Sequence, residues 1–197
     1  YVVSGNSLHI LKAYPAQDAE ILSSYQFSGD PESLYINNGK VVLIVREYRS
    51  RPYRECSPGS CGGFAGYDQM THVYIFSVKD PASPVLVRQL EVEGYSTTSR
   101  MIETRLYLVT STGIPADLDN LQLPVVQDDH GGTMIPPVYG FDTPGHASAF
   151  STISSVDIAS TGPVNARTFI IGSAGTVYVS PSTLYIAVPD TPQSGGA

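Results

Sequence analysis

Apolar and polar positions alternate in short runs along most of this chain. Val73 to Val78 and Val85 to Val92 are typical, since each is rich in Val, Ile, Leu or Tyr and is followed by turn residues or glycine. Such runs predict half-buried antiparallel strands. Asn38-Gly39, between two apolar runs, predicts a tight hairpin turn. No long stretch has helical periodicity, and 15 prolines and 18 glycines leave no room for long helices. The pattern therefore predicts an all-β fold.

The strand pattern repeats three times. Each copy holds two strands that end at a glycine, and a short strand, a polar turn and a more apolar strand follow that glycine. The copies run from Ser7 to Gly29, from Val73 to Gly94 and from Ile153 to Gly172. A series of four-stranded antiparallel sheets is the architecture of β-propeller blades. The chain has room for about three blades, which indicates part of a larger propeller.

Two insertions lengthen the repeat beyond the roughly 40 to 50 residues of ordinary blades. They span Arg46 to Met70 and Ser111 to Ala147, and both lie between the second and third strands of a unit. Insertions at one point of a repeat emerge on one face, which is often the binding face. We therefore expect a partial propeller domain at residues 1–190, followed at 191–197 by a linker-like tail rich in Pro, Ser and Gly.

Tyrosine and arginine residues crowd the first insertion. These residue types are enriched in protein interfaces and in antibody binding loops, where a flat ring gives a large contact area. The alternative is that the rings pack the loop itself. The candidate binding surface consists of Tyr48, Arg51, Tyr53 and Arg54.

The first insertion also contains both cysteines of the chain. Cys56 and Cys61 flank a Pro-Gly turn and are close enough in sequence to be bridged. A loop without its own core, outside the cytoplasm, favours a disulfide, and two free thiols are the alternative. Zinc would require about four ligands, and a catalytic cysteine would require a partner histidine.

Acidic residues gather in the second insertion. Oxygen-rich clusters suit Ca²⁺, which takes six to eight hard ligands. The spacing does not match an EF-hand loop, so a solvated acidic loop is the alternative to a metal site. The candidate metal ligands are Asp117, Asp119, Asp128, Asp129 and His130.

Charge and motifs exclude several function classes. The formal net charge of −7 disfavours binding to nucleic acid phosphates and anionic membranes. No apolar run reaches the roughly 18 residues of a membrane helix. The chain also lacks the Gly-x-Ser-x-Gly, His-Glu-x-x-His, Walker and Ser-x-x-Lys motifs.

Several recurring motifs resemble those of a known family. Glu91 to Tyr95 followed by Leu106 to Val109, and Thr176 to Ser180 followed by Leu184 to Ala187, resemble the signature of a secreted β-propeller domain family distantly related to WD40 repeats. The resemblance covers nearly the whole chain. It implies an extracytoplasmic propeller of archaea or bacteria with no established general activity, so it transfers a fold and a location but no catalytic residues.

About three blades are fewer than the four to eight with which propellers usually close. We expect either a fragment of a longer propeller or two copies that exchange strands as a homodimer, because open sheet edges favour strand addition. For function, we expect a non-enzymatic extracytoplasmic module that binds protein or glycan through its inserted loops. The alternative hypothesis is a hydrolase or metal-dependent enzyme with its site at the mouth of the propeller channel.

Overall fold

The computed structural model describes residues 1–50, 67–114, 121–141, 148–171, 176–180 and 183–187, with Ser50 and Tyr67 described by backbone alone. Within these ranges the regular structure is β-strand, apart from one 3₁₀ turn at Ala16–Asp18. The all-β prediction is therefore confirmed. None of the helical structure in this part of the chain is long and apolar enough to cross a membrane.

The first two sheets are blades in chain order. Blade 1 holds β1 (Val2–Ser4), β2 (Ser7–Lys12) and β3 (Glu20–Gln26), paired antiparallel in the order β1-β2-β3. Blade 2 holds β4 (Asp30–Asn37), β5 (Lys40–Ser50), β6 (Tyr67–Ser77) and β7 (Val85–Glu93), each antiparallel to the next.

The remaining strands form one further complete blade and the start of another. Blade 3 holds β8 (Tyr95–Ile102), β9 (Arg105–Gly113), β13 (Ala149–Asp157) and β14 (Asn165–Ile171). Blade 4 is represented by β15 (Thr176–Val179) and β16 (Leu184–Ala187). The second insertion adds β10 (Val126–Asp128), β11 (Gly132–Met134) and β12 (Val138–Gly140).

Each pair of adjacent blades encloses its own hydrophobic core. Leu8 and Ile10 of blade 1 pack with Phe76 of blade 2. Leu106 and Leu108 of blade 3 lie in a second core with residues of blade 2, and a smaller third core joins blades 3 and 4. This stacking of sheets explains why strands repeated along the chain need no single central core.

Strand β5 shows how the stacking affects the sequence pattern. Val41, Leu43 and Val45 face the core shared with blade 1, whereas Val42 and Ile44 face the core shared with blade 3. All five are fully buried. Both faces of the strand are covered, so it is a continuous apolar run and not an alternating one.

Gly29 and Gly94, two of the three repeated glycines, occupy equivalent positions in their blades. Gly29 and Gly94 have φ values of 100° and 101°, which L side chains rarely adopt. A Cβ atom at Gly29 would overlap the carbonyl oxygen of Arg46, and one at Gly94 would lie 2.6 Å from that of Ser111. A strand irregularity follows each glycine at the same distance, between Pro31 and Ser33 and between Ser96 and Thr98. Gly172 lies outside the described residues.

The turn and insertion predictions have different outcomes. Asn38 and Gly39 have φ values of 48° and 69°, which confirms the tight hairpin. The insertions are narrower than predicted. In the first predicted insertion, residues 46–50 belong to strand β5 and residues 67–70 belong to strand β6. In the second, strand β9 continues in register to Gly113. Extended pairing satisfies backbone N–H and C=O groups that a loop would leave to water.

Residues of the second insertion extend the outer edges of two different blades. Strand β10 pairs antiparallel with β7 of blade 2, and β11 pairs with β10, so blade 2 becomes a six-stranded sheet. Strand β12 pairs parallel with β14 of blade 3. Part of the predicted acidic loop is therefore sheet on the outer rim, on the side opposite to β4 and β8. Strands β4 and β8 are the first strands of blades 2 and 3, and they contact each other through Tyr35 Oη and Ser99 Oγ, 2.9 Å apart.

Candidate functional site

The candidate binding surface of the first insertion is described only at Tyr48. This residue lies near the end of β5 with half of its surface exposed, and the Arg46 guanidinium lies 5.7 Å from the centre of its ring. The other members, Arg51, Tyr53 and Arg54, lie outside the described residues. So do Cys56 and Cys61, and the disulfide stays a prediction.

The candidate metal ligands separate into different environments. Asp117 and Asp119 lie outside the described part of the chain. Asp129 is exposed and accepts a hydrogen bond from the backbone N–H of Gln89 at 2.9 Å. His130 Nε2 lies 3.9 Å from Asp129 Oδ1. Among the described side chains, no group of three His, Cys, Asp or Glu residues is arranged to hold a metal ion. The calcium site stays a prediction.

Asp128 is held in a buried ion pair. Arg88 Nε donates to Asp128 Oδ1 at 3.0 Å and Arg88 Nη2 to Asp128 Oδ2 at 2.6 Å. Only 3% and 4% of the two side chains are exposed. Nη2 also donates to the carbonyl oxygen of Gly162 at 2.8 Å. One guanidinium thus joins β7 of blade 2, β10 of the insertion and the β13–β14 turn of blade 3.

Opposing effects set the protonation of Asp128. Burial acts to raise the pKa of its carboxyl group. The hydrogen bonds from Arg88 and from the backbone N–H of His130, with the positive charge of Arg88, outweigh burial and lower the pKa below its ordinary value. The carboxylate is therefore charged at neutral pH, with Arg88 and the His130 N–H as its hydrogen-bond donors.

Sequence reasoning did not identify Arg88, although the strand contains a signal. Arg88, Leu90 and Val92 occupy alternate positions of β7, and all three are buried. An arginine among the inward-facing positions of a strand predicts a buried partner, because an unpaired charge is costly to bury. The partner is 40 residues away in the chain, so only the fold could reveal it.

A second polar group lies on the face of blade 2 that is turned towards blade 1. We call Glu47, Arg49, His72 and Glu91 the carboxylate–histidine cluster; they come from β5, β6 and β7. His72 Nε2 lies 2.7 Å from Glu47 Oε2, and Nδ1 lies 3.7 Å from Glu91 Oε1. Arg49 Nη2 donates to Glu91 Oε2 at 3.3 Å. The cluster lies towards the end of the blade at which the first insertion leaves.

His72 lies behind the two carboxylates, which remain accessible to solvent. Its side chain is only 4% exposed, whereas those of Glu47 and Glu91 are 33% and 21% exposed. Neither ring nitrogen makes a hydrogen bond of good geometry despite the short distance to Glu47. Tyr74 stacks on the imidazole with ring centres 5.9 Å apart. The buried rings of His72 and Tyr74 therefore lie beneath the more exposed carboxylates of Glu47 and Glu91.

The electrostatics of this face are evident at Tyr74. Burial of its hydroxyl group, followed by the nearby Tyr25, Glu47 and Glu91, raises the pKa of Tyr74 to about 12. Tyr25 belongs to blade 1, and its ring is 6.2 Å from that of Tyr74. The raised pKa shows that both apolar burial and negative charge act at this point between the blades.

The cluster continues outwards into an open groove, which we call the polar groove. It has a volume of about 230 Å³ and lies over β7, β10 and β11. The members from the insertion are exposed except for the buried Asp128, and the members from β7 are half-buried. Its lining residues are Gln89, Glu91, Gln127, Asp128, Asp129, Gly132 and Thr133. Glu91 belongs to both the cluster and the groove, so the two form one continuous surface.

Comparison with protein-family models matches residues 1–195 to the model described as Beta propeller domain. Comparison with curated proteins gives no match. Comparison with solved structures also gives none. The match extends over nearly the whole chain and agrees with the stacked antiparallel sheets. The chain belongs to the β-propeller domain family.

Proposed function

We propose that this protein is a non-enzymatic, extracytoplasmic propeller module that binds glycan or protein. The observation that carries the proposal is the continuous surface formed by the carboxylate–histidine cluster and the polar groove. This surface is concave and contains both donors and acceptors, and the cluster lies near the ends of β5 and β6 at Ser50 and Tyr67. Ligand sites are usually concave, and their polar groups fix the orientation of the ligand.

An interaction role suits this surface better than catalysis. Glu47 and Glu91 both contact the buried His72, and Glu91 also accepts from Arg49. Within the described ranges, no group of three His, Cys, Asp or Glu residues is arranged to hold a metal ion. Fixed, mutually paired side chains can orient a ligand without taking part in a reaction.

The extracytoplasmic part of the proposal depends on the cysteines. Cys56 and Cys61 are the two cysteines of the chain, and a disulfide between them would form only in an oxidising compartment. Thiol titration of denatured, unreduced protein from its native host tests this. We expect no reactive thiol, whereas two reactive thiols would contradict this location.

The interaction role is tested with two sets of probes. Neutral and acidic polysaccharides form the first set, and a surface-protein extract from the source organism forms the second. We expect saturable binding in one set and no release of new reducing ends from the polysaccharides. Release of reducing ends in proportion to protein concentration would establish the enzymatic alternative. Absence of saturable binding in both sets would refute the interaction role.

A further inference from the structure

We infer that the polar groove is a subsite for one sugar residue of a neutral saccharide. This inference rests on the proposed interaction function and goes further by naming the site and the ligand class. Its starting point is the composition of the lining. Gln89, Gln127 and Thr133 supply side-chain groups that both donate and accept hydrogen bonds. Sugar hydroxyl groups also do both, so the two surfaces are complementary.

The polar groups of the groove are available to a ligand. Gln127 and Thr133 are exposed, and Gln89 is half-buried. Within the described part of the chain, the amide groups of Gln89 and Gln127 and the hydroxyl of Thr133 make no side-chain hydrogen bond. In contrast, the backbone N–H of Gln89 donates to Asp129 Oδ2 at 2.9 Å. The backbone is therefore fixed while the side chains remain free.

The charges of the groove favour a neutral ligand over a cationic one. Asp128 is paired with Arg88 through two hydrogen bonds, and Glu91 accepts from Arg49. These cations already balance two of the three carboxylates. A site for a lysine or arginine side chain would present carboxylates without internal cations. The remaining Asp129 oxygen can accept from a hydroxyl group.

Size and rigidity agree with a small ligand unit. About 230 Å³ is below the roughly 300–1,000 Å³ of pockets for drug-sized ligands, so the groove suits a single ring. Arg49 holds Glu91 on one side, and the almost fully buried His72 lies on the other. Because Asp128 anchors β10 to β7, the two walls of the groove are fixed relative to each other. Little ordering is then required on binding.

The test is affinity electrophoresis through gels that contain xylan, mannan, galactan or mixed-linkage β-glucan. We expect at least one of these neutral polysaccharides to retard the wild-type protein. The variant Gln89→Ala/Gln127→Ala removes both free amides, and we expect its dissociation constant to be at least about tenfold weaker, as for the loss of two modest hydrogen bonds.

Matched variants separate the groove from general damage. Gln69→Ala changes the same residue type on the opposite face of blade 2, since Gln69 and His72 lie at positions of opposite parity on β6. We expect it to be retarded like wild type. Glu91→Gln keeps the shape of the side chain and provides a second groove variant, expected to weaken retardation at least about threefold. Melting temperatures confirm that each variant is folded.

Three outcomes are distinguishable. Retardation of wild type and of Gln69→Ala, with loss in the double variant, supports the groove as a saccharide subsite. Equal retardation of the double variant overturns the groove but leaves an interaction function elsewhere on the molecule. Absence of retardation by any of the four polysaccharides overturns the neutral-saccharide assignment, while the protein-binding set described above decides the interaction function separately.

Discussion

Replacement of Asp128 by asparagine is the most informative test of how the second insertion is held. The amide would keep the size of the side chain but remove its charge, and the Arg88 guanidinium, only 3% exposed, would lose its counter-ion. Breaking a buried pair by removing one partner costs about 3–5 kcal/mol. This is a large part of the roughly 5–15 kcal/mol that stabilises a domain.

The magnitude follows from the hydrogen bonds that one guanidinium makes. Two connect Arg88 to Asp128, and others reach the carbonyl oxygens of Ser160 and Gly162. Asparagine offers one acceptor where aspartate offers two charged oxygens, so one of the Arg88 donors is left without a partner. An unsatisfied buried donor accounts for about 1–3 kcal/mol of the expected loss, and the uncompensated charge accounts for the rest.

Urea unfolding followed by circular dichroism measures the effect. The chain contains no tryptophan, so tyrosine fluorescence is the second probe. Asp18→Asn is the control, because Asp18 is exposed on the 3₁₀ turn. Arg88→Met and the double variant Arg88→Met/Asp128→Asn complete a double-mutant cycle. We expect the double variant to be clearly more stable than the sum of the single losses predicts.

The dependence on pH gives an independent check. The pKa of Asp128 is lowered in the folded protein, so the ion pair contributes its full stability above the unfolded carboxyl pKa of about 3.9. That contribution is lost as pH falls through the lowered pKa. The difference between wild type and Asp128→Asn should therefore shrink below about pH 4. A loss under about 1 kcal/mol at neutral pH, or additive single effects in the cycle, would refute this account.

Three further predictions concern the blades themselves. Gly94→Ala should lower the free energy of unfolding by about 2–4 kcal/mol, because φ is 101° and the new Cβ would lie 2.6 Å from the Ser111 carbonyl oxygen. Gly113→Ala is the control: the space around Gly113 is open, so the same urea titration should show no change in the free energy of unfolding. Ser154→Ala should raise the melting temperature slightly, since its buried hydroxyl has no hydrogen-bond partner, and a marked decrease would contradict this. Ultraviolet titration of wild type against Tyr74→Phe should reveal one tyrosine that ionises only at about pH 12. The stability that this tyrosine contributes should fall as pH rises above about 10, the pKa of an unfolded tyrosine. Ionisation of Tyr74 together with the exposed tyrosines would disprove the burial argument.

Local sequence information was sufficient to predict the blades. Strand alternation predicted the antiparallel sheets, and the hairpin at Asn38-Gly39 has the positive φ values that its residues predicted. Gly29 and Gly94 marked equivalent points because their conformation and close backbone contacts both exclude a side chain. These features depend on neighbours in the chain or within one sheet, so a repeated pattern carries them.

Long-range pairing limited the prediction of the site. Strands β10, β11 and β12 are three residues each, too short for a periodic signal, and β10 and β12 pair with strands tens of residues away. The sequence pattern predicts Asp128 as a metal ligand in an acidic loop; in the structure it lies in β10, and its carboxylate is paired with Arg88. Calcium binding by the candidate acidic residues stays a prediction.

Sequence information was enough to predict a series of antiparallel blades, because strand alternation and turn residues act locally and recur along the chain, and Gly29 and Gly94 share one backbone conformation. The position of the polar surface, in contrast, follows from how distant strands pair. The carboxylate–histidine cluster takes residues from three strands of blade 2, and the polar groove forms only when an insertion of blade 3 adds strands to the edge of blade 2. Such a surface depends on which distant strands pair, and side-chain order along one strand does not contain that information.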